Sequence, residues 1–299
     1  MNSAASIAFA EALSIIGEVT HDHRLASESL ALSRVHGRVL AQPLAARSST
    51  TPVLHAGQVL TPARVSLAAS LGLASLQVAR RPTVAVFIIG DELIEPGMPL
   101  APGQVHDSNR ELLMGLLRAD GLEPTAWPRL SGDPRQIEIA LRDAGCAFDL
   151  IIACTDASAA HDHFAAVLAQ FGRQHFRDVR MQPGTHALFG SLDQARLLAL
   201  AGDPVSVLAT YLTLGRALID GLQGRVESRP RWHARLLGPV EKAHSRREFR
   251  RARVFSDLGG QLLAESEPAA VAASNALIVL PEGPQCLTAG DAVEVVGYD

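Results

Sequence analysis

From Arg81 to Leu222 the chain alternates short apolar runs with amphipathic ones, and this rhythm limits the possible folds more than any other feature. "TVAVFIIG", "EPTAWPRL" and "DLIIAC" read as strands, and "SNRELLMGLLRADG" and "DPRQIEIALRDAG" as helices, the latter capped by Asp133. Further on, "FAAVLAQFG" reads as a helix, "HALFGSL" and "ARLLALAG" as strands, and "PVSVLATYLTLGRALIDGL" as a long helix. Alternation sustained over this length predicts an α/β fold with a doubly wound sheet, whose ligands sit at the carboxyl ends of its strands.

The flanks have a different pattern. In residues 1–80, "SIAFAEALSIIGEV" has helical spacing, a short helix is expected to end near Gly37, and an extended piece follows from Val39 to Ala45. Thr61 and Pro62 mark a helix start and Gly72 its end. Residues 225–299 alternate over short runs such as "FRRARVF", "ALIVLPEG" and "AVEVVGYD", which predicts a small β domain. The expected division is thus 1–80, 81–224 and 225–299.

Aromatic residues are only 4% of the chain and the formal net charge is -4, so a stacking or polyanion-binding surface for nucleic acid is not expected. Alternating charges in "SRREFRRARV" fit one solvated face of a strand. Cys146, Cys154 and Cys286 form neither a disulfide framework nor a zinc spacing. No apolar run reaches membrane-spanning length and no basic leader is present, so a cytoplasmic protein without a membrane role is expected. Among 27 Lys and Arg residues only Lys242 is a lysine.

After the third strand comes "TDASAAHDHF", where a phosphate-binding loop would carry glycines that let backbone N–H groups close round the anion. This stretch has no glycine. His161 to His163, and the similar triplet His21 to His23, have a spacing that a transition metal accepts. Eleven histidines in 299 residues also bring such clusters together by chance, so solvated loop histidines are the expected state and the metal set is left unassigned.

Several segments taken together point to a family. "IIGDELIEPGMPLAPGQVHDSNRELLMGLLRADG", "AGDPVSVLATYLTLGRALIDGLQG", "GQVLTPARVSLAASLG", "SRREFRRARV" and "ALIVLPEG" with "LTAGDAVEVV" resemble, in order and spacing, the molybdopterin molybdenumtransferases of the MoeA and gephyrin E-domain type. The resemblance implies insertion of molybdate into adenylylated molybdopterin with Mg²⁺, and a homodimer. Asp91 takes the place of the family's strand-end carboxylate, between Gly90 and Glu92. Asp107, Ser108 and Asn109 match the family's D-S-N, which reads equally as a helix cap and as a ligand contact.

The departures are also specific. Against the family's S-G-G-V-S-V-G-x-x-D, glycines fall at Thr155, Asp156 and Ala160, the final Asp falls at His163, and only Ser158 is retained. Asp162 is the candidate replacement for the displaced carboxylate. The M-K-P-G-K-P segment has become Met181 to His186, keeping Gly184 but neither lysine. Gly-Asn-Pro has become Gly202, Asp203 and Pro204, with Ser206 after it. "ARSSTTPVLHAG" replaces a P-P-F-x-x-S-x-M-D-G-Y motif and a whole inserted domain. Each change removes positive charge or adds negative charge. The expected role is in molybdenum cofactor biosynthesis with transferase activity reduced or lost. The alternative is a non-catalytic dimeric scaffold that meets a protein of molybdoenzyme maturation.

Overall fold

The structure is a computed structural model describing residues 6–45, 51–155, 158–268 and 271–298; side chains at 158–160 and 271 also lie outside the description. The chain forms two compact units. One comprises Met1–Ala12, Thr83–Gly215 and Pro230–Asp299, and the other Leu13–Pro82 and Arg216–Arg229.

The first unit holds a six-stranded sheet: β1 (Val84–Ile89), β2 (Pro124–Ala126), β3 (Leu150–Thr155), β4 (Gly172–Arg177), β5 (Leu188–Leu192) and β6 (Ala195–Ala201). The strand order is β4-β5-β6-β3-β1-β2, parallel from β6 to β2 and antiparallel from β4 to β6. All six residues of β1 and of β3 are buried, as expected of parallel strands covered on both faces. The chain passes from β1 out to β2 and returns to β3 on the other side of β1, which makes the ends of β1 and β3 a topological switch point.

Four helices flank this sheet: α1 (Asn109–Ala119), α2 (Pro134–Ala147), α3 (Ser158–Phe171) and α4 (Pro204–Thr210). Asp133 caps α2 by accepting from Arg135 N, with Pro134 at the first helical position. Phe87, Ile89, Ile151 and Ala153 of the sheet share a core with Ile137 and Leu141 of α2 and Phe164 and Leu168 of α3. A π-helical turn, Tyr211–Gly215, and then Arg216–Leu222 continue α4. By length and composition this helical run, Pro204–Leu222, is apolar enough to cross a membrane, but 72% of it is buried within the protein, as in a core helix.

Two local expectations are corrected, and one strand had no counterpart among them. The stretch read as a short helix before Gly37 begins as a strand, Ser27–Ala31, whose half-buried and exposed residues alternate, followed by a 3₁₀ turn. The "FAAVLAQFG" helix begins earlier, at Ser158, so the His-Asp-His triplet is helical and not on a loop. Gly172–Arg177 is an edge strand with few apolar residues, and it went unread for that reason.

Beyond Arg229, strands Trp232–Leu236, Arg247–Ser256, Leu262–Ser266, Ala276–Leu280 and Ala292–Gly297 pair in a closed ring. Ala234, Leu236, Ala252, Ile278, Val293 and Val295 fill its core. The chain's lysine, Lys242, is 3% exposed there and donates to the carbonyls of Arg246 and Pro281.

In the second unit, Ser27–Ala31 pairs antiparallel with Ser75–Ala79 beside a helix, Pro62–Ser70, that Thr61 caps as the sequence predicts. Leu40, Leu54, Leu60, Val65 and Val78 form its core. Glu227 accepts from Arg64 Nη1 at 2.7 Å and from Val59 N at 2.9 Å, and Arg64 holds its carboxyl below the ordinary range. A Glu227→Gln substitution should therefore lower stability at pH 7 by about 1–3 kcal/mol. Because folding depresses this pKa, the difference should shrink as the pH falls through and below the carboxylate range. Equal urea midpoints for the two proteins at pH 7 would contradict this.

Candidate functional site

At the end of β1 the chain turns at Gly90, where a Cβ would lie 2.7 Å from Glu92 Oε1 and 2.9 Å from Leu93 Cδ1. Leu93–Ile94 then pairs with Val105–His106, joined by Val105 N to Glu92 O at 3.0 Å and Asp107 N to Ile94 O at 2.8 Å. This small clasp brings Asp107 to Asn109 to the start of α1. Asp107, 4% exposed, accepts from Arg110 N at 3.1 Å and pairs with Arg110 Nε at 3.3 Å. Asn109 donates through Nδ2 to Cys154 Sγ at 3.3 Å and to the Gly202 carbonyl, joining α1 to the ends of β3 and β6. Its Oδ1 has no partner among the described residues.

These strand ends enclose a cavity of about 310 Å³. Leu93, Val105 and His106 line it from the clasp, Ser108 and Asn109 from α1, Cys154 and Thr155 from β3, and Gly202, Asp203 and Pro204 from the turn into α4. It lies at the switch point where the sequence places a ligand.

Of the residues expected at the site, Ser108, Asn109, Gly202, Asp203 and Pro204 line this wall. Gly90, Glu92 and Asp107 stand behind it as framework. Asp91 lies outside the described wall and faces Gly132 N at 3.4 Å. Gly184 has φ +93°, and a Cβ there would lie 2.3 Å from Thr210 Oγ1, so it packs against α4. Ser206, 4% exposed, donates its N–H to Asp203 Oδ1 at 2.9 Å. The Ser158 side chain and all of Asp156 lie outside the described residues. Asp162 is exposed and pairs with Arg177 Nη2 at 2.7 Å, away from the described wall. Leu93, Val105, His106 and Cys154 were not anticipated; the rule that ligands gather at parallel-strand ends points to Cys154, the next-to-last residue of β3.

The local electrostatics oppose anions. At the start of α1 the carboxylate of Asp107 already occupies the Arg110 N–H, and at α4 Asp203 occupies that of Ser206 while Pro204 has none. One N–H at each of these helix starts is thus taken by an acid of the chain. Arg177 pairs with Asp162, and His186 Nδ1 lies 3.0 Å from Asp178 Oδ1. Among the described residues no group of three or more His, Cys, Asp or Glu side chains is placed to hold a metal ion.

His161 is 5% exposed in the first turn of α3, with Nε2 unpartnered. Burial, reinforced by the charges of Arg177 and His186, lowers its pKa to about 4.

Residues 85–220 match the family described as a probable molybdopterin binding domain, and residues 233–298 match the MoeA C-terminal region, domain IV. A molybdopterin molybdenumtransferase of Haemophilus influenzae is 33% identical over 257 residues, covering 83% of this chain and 64% of the relative. The chain belongs to the molybdopterin molybdenumtransferase family. Molybdopterin molybdenumtransferase 2 of Mycobacterium tuberculosis is 32% identical over 260 residues, 82% of this chain and 64% of that protein. This family member therefore spans just under two thirds of the length of these relatives. In fold it is similar to the molybdopterin biosynthesis MoeA protein of Pyrococcus horikoshii, with a TM-score of 0.76 at 18% identity, covering 98% of this chain and 100% of the other. A molybdenum cofactor biosynthesis protein of Pyrococcus furiosus superposes with a TM-score of 0.73 at 22% identity over 98% and 100% of the two chains.

Since the His161 pKa falls from the ordinary 6.5 to about 4 on folding, the unfolded chain binds more protons between those pH values. Stability should drop as the pH is lowered through that window, by on the order of 3 kcal/mol from this residue. His161→Gln should flatten that part of the curve of urea midpoint against pH; a variant curve parallel to the wild type would refute the assignment.

Proposed function

We propose that this protein acts in molybdenum cofactor biosynthesis by holding a molybdopterin-type ligand in the cavity at the strand ends, with molybdate transfer reduced or lost. The observation that carries this reading is the wall itself. Its Ser108, Asn109, Gly202 and Pro204 are residues that match the family, while Asp203 stands where the family carries Asn and adds an acid. Transfer on an adenylylated substrate needs donors and cations for developing phosphate charge. Here neither lysine of the family's M-K-P-G-K-P segment is present, Asp203 adds negative charge at the wall, and the chain's lysine sits buried in the β domain.

The described carboxylates do not fit a resident Mg²⁺. Asp107 is tied to Arg110, Asp91 stands outside the wall, and Asp203 is the remaining acid at the cavity. No step is assigned to that ion. Molybdate is a substrate of the family's reaction and not a resident ion. A second reading keeps the transferase active with Asp91 as its carboxylate, and turnover of adenylylated molybdopterin with molybdate separates the two.

Calorimetric titration with molybdopterin tests the binding. Asp203→Asn keeps a good helix cap and removes one negative charge, so it should tighten binding of this anionic ligand about tenfold, or about 1.4 kcal/mol. Heat absent at millimolar ligand for both proteins would remove the reading. AMP release at rates typical of an enzyme, about 1 per second or more, abolished in Asp91→Ala, would favour the active transferase.

A further inference from the structure

We propose that, whatever the cavity binds, Ile7 to Phe9 form a strap that fastens the segment from Asp178 to His186, and that this strap opens on its own while the sheet stays folded.

Within the segment, Met181 to His186 stand where the family carries M-K-P-G-K-P. The segment is folded back on itself by Asp178 N donating to Ala187 O at 2.9 Å and Val179 N to Thr185 O at 2.8 Å. One edge pairs with the β domain. Met181 and Gln182 lie parallel to Arg247 and Glu248, Arg247 N donates to Arg180 O at 3.3 Å, and Arg246 Nη1 donates to Thr185 Oγ1 at 3.0 Å. The other edge is closed by the start of the chain. Ile7 forms a parallel bridge to Val179, donating its N–H to Asp178 O at 3.0 Å and accepting from Arg180 N at 2.8 Å.

Two features make this fastening a separate, removable part. The first is its size: one bridge of two backbone bonds and one anchoring side chain. That side chain is Phe9, 6% exposed at the start of the helix Phe9–Asp22, with its ring 5.2 Å from that of Phe249 and the Arg247 guanidinium 5.3 Å from its centroid. Arg247 and Phe249 belong to the strand that pairs with the segment's other edge, so one ring braces both sides. The second is strain. Asp178 has φ +61°, a left-handed conformation that is costly for a residue with a side chain, and the bond from Ile7 N lands on its carbonyl. Withdrawal of Ile7 leaves that carbonyl free to turn. β3, by contrast, pairs with a strand on each side and is buried throughout. Elements held by few contacts open at a lower free energy than core strands do. The opening lies beside α4, the helix whose Pro204 lines the cavity, since Gly184 packs against Thr210.

Hydrogen exchange on the full chain tests the strap. The N–H groups of Ile7 and Arg180 are closed by the same bridge, so their protection factors should agree within about threefold and lie about a hundredfold or more below that of Ile152 in β3. Ile7→Pro, which lacks the donated N–H, should speed exchange at Arg180 about tenfold and leave Ile152 unchanged. Phe9→Leu keeps an apolar side chain and should move Arg180 in the same direction. If Ile7→Pro does not fold, the wild-type protection factors and Phe9→Leu decide. Protection at Arg180 equal to that at Ile152, no change at Arg180 in the folded variants, or a rise at Ile152 that matches the rise at Arg180 would overturn the proposal.

Discussion

The amide of Asn109 is the contact on which the arrangement of the site depends. It is the second residue after Asp107, which the clasp delivers from β1, and it reaches the end of β3 through Cys154 and the end of β6 through Gly202. Three segments far apart in sequence are fixed by one side chain whose two donors are both engaged. The alternative to such a bridge would be a buried carbonyl at Gly202 without a donor, which protein interiors disfavour. The cavity has its shape because these strand ends are held at fixed separations.

The architecture was legible in the sequence where local chemistry and burial agree. β1 and β3 are unbroken apolar runs, and Thr61 and Asp133 each stand before a proline and cap the helix that follows. The site was partly legible, through segments that match the family. What failed was the reading of His161 to His163 as a solvated loop. In the helix, His161, Phe164 and Leu168 fall on one buried stripe at spacings of three and four, and Asp162 is turned to the surface to meet Arg177. A polar residue type obscured a helical period that its position obeys. Ser27–Ala31 and Gly172–Arg177 were missed because their strand character comes from pairing with partners distant in sequence.

Asp203, standing where the family carries Asn, adds negative charge to the cavity wall. Asp107 and Asp203 each accept one N–H at the helix starts beside the cavity, and Arg177 and His186 each face an acid of their own. Capping stabilises a helix and at the same time takes away the anion-binding capacity of its end. In this family member, therefore, helix stability and phosphate recognition compete for the same N–H groups.

The placement of Lys242 has a consequence for covalent chemistry. Its amino group is held by two carbonyls inside the β domain, and burial lowers its pKa. No other lysine occurs in the chain. Acylating reagents, amine-directed crosslinkers and lysine-modifying enzymes therefore meet a surface rich in guanidinium groups and lacking side-chain amines. Acetylation or ubiquitin attachment at a lysine would first require that part of the β domain to open.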